Sequence, residues 1–77
     1  MNHLFTDDDI TFLLALARRG IASRDSGCQI HAKILLEQLE HRATLERSHV
    51  IRALDDKICL HARSVARLLG EPMPLMC

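Results

Sequence analysis

Between Thr44 and Gly70 the apolar positions recur at alternating steps of three and four. Ile51, Leu54, Ile58, Val65 and Leu68 keep that rhythm, and His61 occupies the one polar step. Residues three and four apart share one side of a helix, so this spacing predicts a single helix with one long apolar seam. The average step of 3.5 residues is that of a helix lying along a partner at a shallow angle. Thr44 is the expected N-cap, and Glu46 places negative charge in the first turn. Gly70 supplies a stop and Pro72 forbids continuation. Such a helix would run for about 35–40 Å.

Two shorter helices precede it. Thr6-Asp7-Asp8-Asp9 reads as a capping box with its acidic residues at the positive end of the helix dipole. Ile10, Leu13, Leu14 and Ala17 then form one apolar stripe. Phe12 and Leu16 widen it, so this helix is expected to touch two neighbours. Arg18 and Arg19 suit its last turn and Gly20 its end. Ile21 to Asp25 reads as a linker. Ser26 with Gln29 predicts a second capping box, opening a helix that runs to about Arg42. Cys28, Ala32, Leu35, Leu36 and Leu39 share one of its faces, and Ile30 and Ile34 share another. Neither Gly nor Pro marks the junction from His41 to Thr44, where a tight turn is preferred over a kink. No stretch alternates with the period of a strand. The expected organisation is a loose N-terminus over residues 1–5, a helical unit over 6–70, and a mobile, proline-punctuated tail over 71–77.

Composition turns this all-α, three-helix reading toward self-association. A chain of 77 residues forms one domain and buries only about 60% of its unfolded surface. The hydrophobic fraction is 48% but the aromatic fraction 3%, so the core is built from aliphatic side chains. The long seam needs a long cover, and the rest of the sequence offers only two shorter helices. Hence the expectation of a homodimer joined through Ile51, Leu54, Ile58, His61, Val65 and Leu68. There His61 is either a satisfied histidine at the core edge or a polar residue that fixes register and weakens the interface when protonated. Cys28, Cys59 and Cys77 are odd in number and lack framework spacing. They are read as reduced thiols of a cytoplasmic chain. No apolar run approaches the length of a membrane span.

Candidate chemistry is sparse. Cys28-x-x-His31 and Cys59-x-His61 together contain two sulfur and two nitrogen ligands of the kind zinc takes. Residues two apart point about 200° around a helix, so Cys59 and His61 cannot hold one ion without unwinding it. No metal, cofactor or catalytic set is assigned, and an enzyme is not expected. Net charge is zero with histidines neutral, which argues against a dedicated nucleic-acid binder. Arg52, Lys57, Arg63 and Arg67 form the one candidate band for phosphates or for a protein partner. The plain alternative is a solvated face in which Arg52 pairs with Asp55 or Asp56, and Arg67 with Glu71.

The segment Ala32-Lys33-Ile34-Leu35-Leu36-Glu37-Gln38-Leu39-Glu40-His41, a short polar junction, and Val50-Ile51-Arg52-Ala53-Leu54 resemble the YmgB/AriR family. That group of small enterobacterial biofilm-development and two-component connector proteins includes YcgZ. The likeness spans roughly Asp8 to Leu69. It implies a small helical dimer without catalysis, linked to biofilm formation, acid-stress survival and phosphorelay signalling. The leading expectation is a regulatory protein that acts by contact with a signalling protein. A DNA-binding modulator of biofilm and acid-resistance genes is the second candidate. A small inhibitor or adaptor of a single protein partner is the third. This chain departs from the family in its richness in arginine and histidine and in its proline-bearing tail.

Overall fold

The computed structural model describes residues 5–77 and contains three helices: α1 (Asp7–Ile21), α2 (Ser26–Arg42) and α3 (Ser48–Leu69). No strand occurs among the described residues. Met1 to Leu4, most of the segment expected to be loose, lie outside them. Phe5 is described and packs against the core.

The start of α1 is as its residues dictate. The Thr6 hydroxyl accepts from the Asp9 backbone N–H at 3.2 Å, and the Asp9 carboxylate accepts from the Thr6 N–H at 3.0 Å. Its end is not where Gly20 suggests, because the helix continues through Ile21 to a cap at Ala22. Gly20 serves close packing instead. A Cβ there would stand 2.6 Å from the Ala32 Cβ and 2.8 Å from the Val65 Cγ1. The three helices therefore meet at a point where only hydrogen fits.

Helix α2 begins on a different cap from the one expected. The Asp25 side chain accepts from the Cys28 N–H at 3.0 Å, while Gln29 reaches back to donate to the Ser23 carbonyl. Ser26 is the first helical residue. A carboxylate at the N-cap satisfies an orphan amide and also meets the dipole, which favours Asp25 over the neutral serine.

Helix α3 starts three residues later than expected, at Ser48, with Arg47 in place of Thr44 as a cap that makes no side-chain bond. The Thr44 hydroxyl donates to the His41 carbonyl at 2.7 Å. It finishes α2 and is not available to open α3. Residues 43–47 form a true connection, and the 22 residues of α3 span about 33 Å. Gly70 ends the helix with φ 71°, a conformation that side chains disfavour, and the Glu71 N–H closes the turn on the Ala66 carbonyl at 2.8 Å.

Leu13, Leu16 and Ala17 of α1, Cys28, Ala32, Leu35 and Leu39 of α2, and Ile58, Ala62, Val65 and Ala66 of α3 make one core. The molecule measures 36 × 21 × 18 Å, its long axis close to the length of α3. Helix α2 packs extensively on both of the others, and α1 touches α3 less. No helix among the described residues is long and apolar enough to cross a membrane.

Candidate partner-binding surface

In the single chain the α3 seam is covered from within at Ile58 and Val65. Ile58 and Val65 are 0% exposed, so they have no surface to offer a second copy. Ile51, Leu54 and His61 are half-buried, and Leu68 is 40% exposed. The expectation that α1 and α2 were too short to cover the seam missed that both pack on α3 and together enclose Ile58 and Val65.

The C-terminal segment corrects the sequence reading most. Cys59 and Cys77 form a disulfide, and Cys28 is the one free cysteine, buried in the core. The reading of three reduced thiols is overturned, and with it the argument from reduced thiols for the cytoplasm. Nothing in the spacing signals this bond, because Gly70 and the two prolines must turn the chain back first. Residues 71–77 are tied down at two points. The Arg19 Nε and Nη2 donate to the two Glu71 carboxylate oxygens at 3.0 and 2.7 Å. At the far end the disulfide holds Cys77 to α3, while Pro74 is buried and Met76 packs on the core. Glu71 thus pairs with Arg19 across the fold, not with Arg67 along the helix. That hydrogen-bonded guanidinium holds the Glu71 carboxyl below its ordinary range and raises Arg19 in turn.

A cleft of about 620 Å³ opens between this segment and the first half of α1. Its walls are mainly apolar: Phe12 on one side, then Pro72, Met73, Pro74, Leu75 and Met76 on the other. Asp9 and Glu71 stand among its lining residues. Phe12 is 42% exposed, Met73 48%, and Leu75 projects entirely into solvent. The sequence reading placed Phe12 on the widened apolar face of α1, and its exposure shows that no neighbour within the chain covers it fully.

Ionic groups elsewhere are committed to structure. Asp55 is 0% exposed and accepts from the Arg42 Nε at 2.6 Å and Nη2 at 3.3 Å. The same guanidinium lies 5.3 Å over the Phe5 ring. Of the two carboxylates expected to pair with Arg52, Asp55 or Asp56, Asp55 turns inward instead, where the last residue of α2 reaches it. Across the α2–α3 contact the Nδ1 atoms of His31 and His61 stand 3.0 Å apart. Burial, with a smaller contribution from His31, pushes the His61 pKa below its usual value. No three metal-ligating side chains converge among the described residues.

The four-residue basic band divides. At about 100° per residue, Arg52, Arg63 and Arg67 fall within an arc of about 60°, and Lys57 lies well outside it. Asp56 falls inside the arc. Arg63, Arg67 and Lys57 are exposed, and Arg52 is half-buried. Lys57 instead borders a smaller cleft with His41, Leu45, Val50, Ala53 and Leu54.

No protein-family model, curated protein or solved structure matches the chain.

Proposed function

We propose that this protein is a non-enzymatic regulator that works by binding another protein, and that the cleft between α1 and the C-terminal segment is its binding surface. The observation that carries this reading is the grouping of Phe12, Met73 and Leu75 as exposed apolar side chains around one cleft. A cluster of this kind is characteristic of a surface that a partner covers. Methionines suit such a role because their unbranched, polarisable side chains repack against different shapes. The three best-defined polar contacts, Arg42 with Asp55, Arg19 with Glu71 and His31 with His61, each link separate parts of the fold. Resemblance to the YmgB/AriR family supports bacterial stress and biofilm signalling as the setting. Self-association through the α3 seam is left out of the proposal, because Ile58 and Val65 are already enclosed.

The test is comparative affinity capture from enterobacterial lysate with wild type and with a Phe12→Ala, Leu75→Asp variant. Both positions are exposed, so the variant should fold as the wild type does. A protein retained by the wild type and lost by the variant supports the reading. An identical retained set rejects it.

A further inference from the structure

The two metal-ligand pairs in the sequence, Cys28 with His31 and Cys59 with His61, come apart in the fold. The sulfurs are withdrawn. Cys28 is 0% exposed with its Sγ 4.0 Å from the Val65 carbonyl oxygen, and Cys59 is bonded to Cys77. The imidazoles are brought together. His31 of α2 and His61 of α3 are both partly exposed, with Nδ1 facing Nδ1 at 3.0 Å, ring centres 5.2 Å apart and ring planes 40° to one another.

As a hydrogen bond this contact has a cost. Between two neutral imidazoles, one Nδ1 must carry a proton and the other must be bare. A free histidine side chain prefers its proton on Nε2, so one of these rings is held in its less favoured tautomer. A cation between the rings removes the conflict, because both can then keep Nε2–H and turn an unprotonated Nδ1 inward.

We infer that His31 and His61 form a two-imidazole seat for a divalent cation of the zinc class, joining α2 to α3. The distances fit such an ion with little movement. Zinc–nitrogen bonds of about 2.0–2.1 Å at a tetrahedral angle place two Nδ1 atoms about 3.3 Å apart and their ring centres about 5.2 Å apart. The ring centres already have that separation. With the ring centres unmoved, rotation of the two rings opens the Nδ1 atoms from 3.0 Å to the separation that the ion requires. Neutral imidazole is the form that ligates. Two imidazoles suit zinc, copper and nickel, whereas magnesium and calcium require oxygen ligands. The remaining two positions on a tetrahedral ion fall to water, so affinity is modest and the ion exchangeable.

The experiment is thermal and urea unfolding of the full chain, freed of metal by chelator and with its disulfide intact, in the presence of zinc chloride. A ligand that binds only the folded state, at about 100 times its Kd, raises the folding equilibrium constant about a hundredfold. Magnesium chloride is expected to do nothing. His31→Ala and His61→Ala, each compared with its own metal-free baseline, should lose the zinc response, and the exposed His41→Ala should keep it. Long-range proton–nitrogen NMR of the wild-type imidazoles gives a readout independent of any variant. Zinc should shift two Nδ1 resonances together and leave both rings as Nε2–H. A zinc response that survives His61→Ala, no response at millimolar zinc, or movement of fewer than two Nδ1 signals would overturn the inference.

Discussion

The two ends of α3 are fastened by different physics. The N-terminal end has no side-chain cap bond, and its buried charged contact is Arg42 on Asp55. The C-terminal end is held in several ways at once: the left-handed Gly70 turn, the Arg19–Glu71 pair, the buried Pro74 and the Cys59–Cys77 bond. At the first end a charge has been taken out of water, so stability there depends on the presence of its partner. At the second the load is shared among groups that can be removed one at a time. The cleft belongs to the second end, and its tail wall is therefore as firm as the disulfide makes it.

Arg42→Ala is expected to have the largest effect. It leaves the Asp55 carboxylate, which is 0% exposed, without a countercharge. Losing one partner of a buried pair costs about 3–5 kcal/mol, a large share of the stability of a domain this small. Urea unfolding measures it. The matched variant Arg42→Met, Asp55→Leu should recover most of the loss, since apolar replacement of both partners is often neutral. A loss below about 1 kcal/mol for Arg42→Ala would mean that the carboxylate reaches water, and the contrast between the two ends would collapse.

Cys77→Ser comes next. The bond closes a separation of 18 residues, and cross-links of that span contribute about 3 kcal/mol in the chain-entropy account. Unfolding under oxidising conditions should show that loss, and the wild type treated with reductant should match the variant. If the two proteins unfold alike without reductant, the tail is held by Pro74, Met76 and the Arg19–Glu71 pair without help from the bond.

Between the two ends, Gly20→Ala probes the point where all three helices meet. Alanine favours a helix interior over glycine by about 1 kcal/mol. Here its methyl group would press on the Ala32 Cβ and the Val65 Cγ1, both closer than side chains normally approach. Overpacking costs about 1–3 kcal/mol, so a net loss of about 1–2 kcal/mol is expected by thermal melting. Stabilisation instead would show that the helices part easily.

These same places show what the sequence could reveal. Local patterns were legible: the α1 capping box, the buried faces led by Leu13 and Leu35, and the Gly70 stop. Each depends on residues within about one helical turn of one another. What depended on residues brought together from afar was not legible. Gly20 looks like a stop because its neighbours Ala32 and Val65 are distant in the chain. Asp55 looks like a partner of Arg52 until α2 delivers Arg42. Ile58 and Val65 carry the spacing of a dimer seam, and that spacing is the same whether a second chain or the chain's own helices cover it. The cleft was the least visible feature, since it needs the tail to fold back, and only Pro72, Pro74 and the lone-looking Cys77 hint at a turn.

The smallest effect expected is at the exposed pair of the C-terminal end. Arg19 and Glu71 keep 44% and 32% of their side-chain surfaces in solvent. Water and salt therefore screen the attraction, and the pair should contribute under about 1 kcal/mol despite its two hydrogen bonds. Its sign against pH is definite. The Arg19 guanidinium holds the Glu71 carboxyl below the ordinary value of 4.5. The folded state thus favours the ionised form, so the contribution is complete above pH 4.5 and fades as pH falls below it. Glu71→Gln should remove that part of the acid dependence, seen as a smaller difference in urea midpoint from wild type at pH 3.5 than at pH 6. Raising salt at pH 6 should shrink the difference between the two proteins as well. Arg42→Ala should be nearly indifferent to salt, because its carboxylate lies out of reach of mobile ions. Equal salt sensitivity at both ends would show that burial, on which the contrast rests, does not govern how these two charges are held.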